Sequence, residues 1–239
     1  MRAVINKPLM GIIPIRLGPL IVEDALDVLV NNGISAFCID FGGSTITSKY
    51  PDLIEFYKLL KDYGLLESSL MYSINASYGR ISHKRAIIEA KDIVSFEYGF
   101  DVLGRAQTAS IPQKVRENIS SSLDKKLRIF NKSDYGYYRV IGYDISSVYP
   151  SDSNIPLDDL FNVQQRESKS GIPYLDSSLS SVFNMEQQGL EALSLRRVIQ
   201  DEETEQYVKG KKHLDKKDKQ QIFSIHHDIK IKQHDLYTF

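Results

Sequence analysis

Over roughly the first hundred residues, unbroken apolar runs alternate with stretches whose apolar positions recur every three to four residues. LMGIIPI (9–15), SAFCIDF (35–41), SLMYSINAS (69–77) and FDVLG (100–104) predict strands. VEDALDVLVNNG (22–33) predicts a helix with Ala25, Leu26, Leu29 and Val30 on one stripe and Gly33 as its stop. YPDLIEFYKLLKDYG (50–64) predicts a second, with Pro51 in its first turn and Leu53, Ile54, Tyr57 and Leu60 facing inward. HKRAIIEAKDIVSFEYG (83–99) reads as a third. Strands that alternate with helices pair in parallel through right-handed crossovers. Four such strands make either half of an eight-stranded barrel or a small open sheet. The fold class expected is α/β, a partial (β/α) barrel with about four parallel strands, followed by an α-rich carboxyl-terminal region.

The pattern then changes. Residues 106–180 are rich in Ser, Asp, Asn and Tyr and carry few periodic runs. YYRVIGY (137–143) is a short strand candidate, and NIPLDDLF (154–161) reads as a turn into a short helix. Residues 182–210 form one long helical stretch with Gly189 inside it, and 211–239 form a tail that opens on lysines. The expected division is a half-barrel region over 1–110, an irregular connection over 111–180, and a helix with a basic tail over 181–239.

Composition narrows the function classes. A net charge of −1 gives no global attraction to nucleic acid or membrane, so any such affinity must come from a local patch. The lysines from Lys209 to Lys219, with Arg196 and Arg197 upstream, offer one, or else a solvated helix end. The single cysteine, Cys38, rules out an internal disulfide and a cysteine-built zinc site. His226, His227 and His234 have no recognised ligand spacing, so no metal is expected. No apolar run reaches the ~20 residues of a membrane span, and MRAVINKPLM has no signal-peptide core, which predicts a cytoplasmic protein without a membrane partner. Walker, GxGxxG, GxSxG and HExxH motifs are absent, and no cofactor is implied.

In parallel α/β folds, sites form beyond the carboxyl ends of the strands. The candidates there are Arg16, Asp40 with Gly42 and Gly43, Asn75, and Asp101 with Arg105. Turn and capping roles are the alternative, since Asp and Gly serve turns for conformational reasons. Asp101 lies within an apolar run, where a carboxylate is costly unless it is paired or used. A carboxylate held ionised can act as a nucleophile.

GIIPIR (11–16), EDALDVLVNNGISAFCIDFGG (23–43), LMYSINA (70–76) and EYGFDVLGR (97–105) together resemble the second half of the tRNA-guanine transglycosylase barrel. That family runs from a G-[IV]-[VQ]-Q-G strand to a strand ending in Gly-Gly. It then reaches a G-[VI]-D-x-F-D strand whose final Asp is the nucleophile. Residues 182–208, with Phe183 and Asn184 where the family has His-Asn, resemble its closing helix. The resemblance implies a pentosyltransferase-like protein that exchanges guanine for a modified base in tRNA or DNA. Asp101 would be the nucleophile, Gly42 and Gly43 would line the base pocket, and Arg105 would lie near the RNA backbone. The sequence holds no DSGG[FY]Q segment, no Gln at Pro14 or Ile15, and no Cys₃His set. The alternative expectation is therefore an inactive nucleic-acid-binding or partner subunit on the same scaffold, with a homo- or hetero-oligomer supplying the missing half-barrel.

Overall fold

The computed structural model describes residues 9–77, 85–104, 128–140, 144–161 and 177–229. Four strands form a parallel sheet in the order β1-β2-β3-β5: β1 (Gly11–Pro14), β2 (Ala36–Asp40), β3 (Leu70–Ile74) and β5 (Val102–Leu103). Helix α1 (Pro19–Asn31) joins β1 to β2, and α2 (Tyr50–Asp62) joins β2 to β3. Both start with proline in the first turn, where no amide donor is needed. Gly33 ends α1 at φ 73°, a left-handed position that suits glycine. The sheet pairs Gly11 with Phe37 and Phe37 with Met71. This matches the expected α/β fold with four parallel strands.

The third expected helix is not there. Residues 87–89 form β4 (Ile87–Glu89), and among the described residues of that stretch only α3 (Val94–Glu97) is helical. β4 pairs antiparallel with β7 (Gly136–Arg139), which also pairs with β6 (Arg128–Asn131), giving a second sheet in the order β4-β7-β6. Adjacent Ile87 and Ile88 suit a strand, and pairing with a distant hairpin outweighs the local helical spacing. The hairpin's faces divide between two cores. Phe130, Tyr135 and Tyr137 join the main cluster with Phe37, Phe41 and Phe100; Ile129, Tyr138 and Val140 join a second with Phe183 and Leu160. The region expected to be an irregular connection thus supplies core.

Short α4 (Leu157–Phe161) falls where the turn into a helix is expected. The long helical stretch divides into α5 (Ser177–Gln200) and α6 (Thr204–Lys209), with Glu202 at φ 59° in the break. Gly189 does not interrupt α5. α5 places Phe183 in the second core and Ala192 and Leu195 in the main one, so one helix ties both sheets together. The tail contributes α7 (Lys216–Asp228), capped by the Asp215 carboxylate accepting from the Asp218 amide.

The basic run does not form one exposed face. Lys211 is buried against Glu191 at 3.1 Å, and Lys209 pairs with Glu205 at 2.6 Å. Arg196 turns inward and donates to the Asp101 carbonyl at 3.2 Å. Among the described residues, no helix is long and apolar enough to cross a membrane.

Candidate functional site

The sequence candidates fall on opposite edges of the parallel sheet. Asp101 precedes β5, and the register sets it beside Met71 at the start of β3. Its Oδ2 accepts from the Met71 amide at 2.8 Å, and its own amide donates to the Met71 carbonyl at 2.8 Å. Gly42 and Gly43 stand at the other edge, where the Gly43 amide donates to the Asn75 carbonyl at 2.9 Å. Four strand steps, roughly 13 Å, separate Met71 from Asn75. The sheet therefore does not bring Asp101 and the glycine pair together. Arg105 lies outside the described residues.

The glycine turn has a conformational explanation. Gly42 and Gly43 sit at φ 54° and 83°. Asp40 Oδ1 accepts from the Gly42 amide at 2.9 Å and from Asn75 Nδ2 at 2.8 Å. Asp40 therefore orders the carboxyl edges of β2 and β3.

A cavity of about 210 Å³ opens at that same edge, beyond β3 and β5. Ser73, Gly104, Asp92, Tyr137, Asn184 and Gln188 supply much of its wall, and neither Gly42 nor Gly43 lines it. Asp92 is the residue that motif reading missed. Its Oδ2 accepts from the Tyr137 hydroxyl at 2.8 Å and from Gln188 Nε2 at 3.1 Å. Its Oδ1 is buried with no hydrogen-bond partner in the protein. Enclosure disfavours the charged carboxylate more than Tyr137, the Asp92 and Ile93 amides and Gln188 together favour it, and the pKa is pushed up to about 6. A carboxyl group poised near neutrality at a strand-end cavity can accept from a ligand's N–H or move a proton. The only sequence signal was an acid between apolar runs, inside a stretch whose periodicity reads as helix.

Gly104 closes the cavity beside Ser73, whose carbonyl accepts from the Gly104 amide at 2.6 Å. A β-carbon at residue 104 would lie 2.5 Å from Tyr72 Oη and 2.6 Å from Ile74 Cγ2, so no side chain fits there without rearrangement. GFDVLG (99–104) keeps only the Gly and the first Asp of G-[VI]-D-x-F-D, at Gly99 and Asp101. Asp101, expected as the nucleophile, stands on the amino edge of the sheet and does not line the cavity.

No family model, curated protein or solved structure matches this chain. The site is therefore read from its own chemistry.

Two further groups of titratable side chains are packed into the fold. Oxygens of Glu89, Asp215 and Asp218 converge within 4.8 Å of one another. Lys91 Nζ pairs with all three, at 3.2, 3.4 and 2.7 Å, so an ammonium group already fills the spot a cation would take. His213 contacts Tyr138 Oη at 3.0 Å, and His226 Nε2 contacts the Glu97 carbonyl at 2.7 Å. The histidine tail is thus partly packed into the fold, and His234 lies outside the described residues.

Proposed function

We propose that the protein is a nucleobase-binding member of a transglycosylase-like scaffold, one that engages tRNA or another nucleic acid without exchanging its base. The observation that carries this reading is the Asp92 cavity. It is smaller than the roughly 300–1,000 Å³ pockets of drug-sized ligands, which suits a single heterocycle. Asp92 offers an acceptor and Gln188 its amide oxygen, since Gln188 Nε2 already donates to Asp92 and to the Tyr137 hydroxyl, while Asn184 keeps one Nδ2 hydrogen beyond its bond to the Arg128 carbonyl. Such a set recognises a flat ring bearing N–H donors and carbonyl acceptors. The position of Asp101 on the amino edge of the sheet, outside the cavity lining, favours binding over exchange. In this reading the four parallel strands stand for half of a barrel, completed by a second chain.

Calorimetric titration with free guanine tests the site. Binding is expected for the wild type, with affinity rising between about pH 5 and pH 7 as Asp92 ionises. Asp92→Asn is expected to weaken binding about ten- to hundredfold, the loss of a charge-assisted hydrogen bond, and to flatten the pH dependence. Bulk tRNA incubated with labelled guanine tests the absence of exchange. Incorporation of label would overturn the binding-only reading, and failure of both guanine and tRNA to bind would overturn the whole proposal.

A further inference from the structure

Away from the cavity, five polar side chains meet in the interior where α3, the β6–β7 turn, α5 and α6 converge. Tyr135 Oη lies 3.0 Å from Glu97 Oε1 and 2.7 Å from Glu191 Oε1. Tyr207 Oη lies 2.9 and 3.0 Å from the two Glu191 oxygens. Lys211 Nζ lies 3.1 Å from Glu191 Oε1 and donates to the Lys132 carbonyl at 2.7 Å. The Lys211 ammonium also sits 3.9 Å from the ring centre of Tyr207 and 4.5 Å from that of Tyr135. Glu97, Tyr135, Glu191 and Lys211 are all buried.

The protons can be counted. A tyrosine hydroxyl carries one proton, so Tyr135 donates to only one of the two carboxyl groups it touches. Glu191 faces the Lys211 ammonium and the Tyr207 hydroxyl, which makes it the ionised partner and the acceptor from Tyr135. The contact from Tyr135 to Glu97 then needs a proton that Glu97 itself supplies. Glu97 Oε2 is buried with no partner, which a neutral carboxyl tolerates far better than a carboxylate. The Glu191 and Lys211 charges offset each other, so a charge on Glu97 would stand uncompensated.

We propose that Glu97 is a protonated latch: as a neutral acid it donates to Tyr135 and holds the β6–β7 hairpin against α5 and α6, and its ionisation releases them. The other groups facing it do not supply this proton. His226, on α7, touches the Glu97 carbonyl rather than its side chain, and burial pushes its pKa down; it is present in both the wild type and Glu97→Gln. Asp134, in the hairpin turn, acts on Lys211. Burial is the main cause that lifts the Glu97 pKa to about 8, with Glu191 adding to it and Lys211 opposing; a hydrogen bond donated by the Glu97 acid to Tyr135 favours the neutral form as well. The folded state therefore binds one more proton than the unfolded chain between pH 4.5 and about 8. The stabilisation is fully present below that window and lost above it.

Denaturant unfolding of the full chain across the pH range, for wild type and Glu97→Gln, tests the latch. The wild-type unfolding constant is expected to rise about tenfold per pH unit, relative to Glu97→Gln, between about pH 5 and pH 8. At about pH 9, amides of residues 128–140 should exchange faster in the wild type than in Glu97→Gln, both measured at the same pH. Equal slopes for the two proteins would overturn the proposal. If Glu97→Gln does not fold, carbon-13 NMR of glutamate carboxyl groups in the wild type decides. One glutamate still protonated at neutral pH supports the latch, and a fully ionised set overturns it.

Discussion

Asn184→Ala is expected to destabilise the protein by about 2–4 kcal/mol, from two buried backbone groups left unpaired at about 1–2 kcal/mol each. Asn184 extends β6 sideways with its own amide. Its Oδ1 accepts from the Phe130 amide at 2.7 Å, and its Nδ2 donates to the Arg128 carbonyl at 2.9 Å. A side-chain amide here copies the donor and acceptor that a neighbouring strand would present, and it fastens α5 to the edge of the second sheet. Urea unfolding measures the loss. Asn184→Asp separates the two halves of the contact. A carboxylate still accepts from Phe130, but it has no proton for Arg128, so this variant should be destabilised at neutral pH and partly recover as the acid protonates. A wild-type midpoint for Asn184→Ala would show that the contact carries no net stability. The same side chain lines the Asp92 cavity, so guanine affinity should fall in both variants even where the fold is retained.

Asp101→Ala is expected to cost about 1–3 kcal/mol of stability while leaving guanine binding by the folded protein unchanged. The carboxylate brackets Met71 together with its own backbone amide, and it is buried where β3 begins. Removing it strands the Met71 amide in the core. Asp101→Asn keeps an oxygen able to accept from Met71 and should lose less. Chemical denaturation and calorimetry on the same two variants separate this structural role from a catalytic one. A loss of ligand binding or of base exchange at unchanged stability would restore Asp101 to the chemistry.

Together these predictions divide labour across the sheet. Its amino edge carries Asp101 and holds the strands in register. Its carboxyl edge carries Asp40, which orders the glycine turn, and Asp92, which faces the cavity. The second sheet and α5 close that cavity from above, through Tyr137, Asn184 and Gln188. Two elements outside the expected half-barrel region, the 128–139 hairpin and the long helix, therefore build half of the site.

The parallel sheet was legible from sequence because its signals are local. β-branched and aromatic runs of strand length, proline at helix starts and glycine at helix stops act within a few residues of one another. The division of strand ends into two edges was less legible, since Asp101 stands one residue before β5 and only the pairing of Val102 with Tyr72 places it. The stretch 83–99 misread for the same reason: Ile87 and Ile88 become a strand because β7, some fifty residues away, offers a free edge. Lys211 reads as one lysine in a basic run, yet it is buried between two tyrosine rings beside Glu191.

What the sequence alone determined is the α/β alternation, the four parallel strands and the elements' approximate ends. These follow from periodicity and backbone preference, which neighbouring residues set. What only the tertiary structure decided is which acids are enclosed, which are paired and which face space. Glu97, Asp92 and Asp101 look alike in the chain, and they differ because burial and long-range partners, not neighbours, set the cost of a charge.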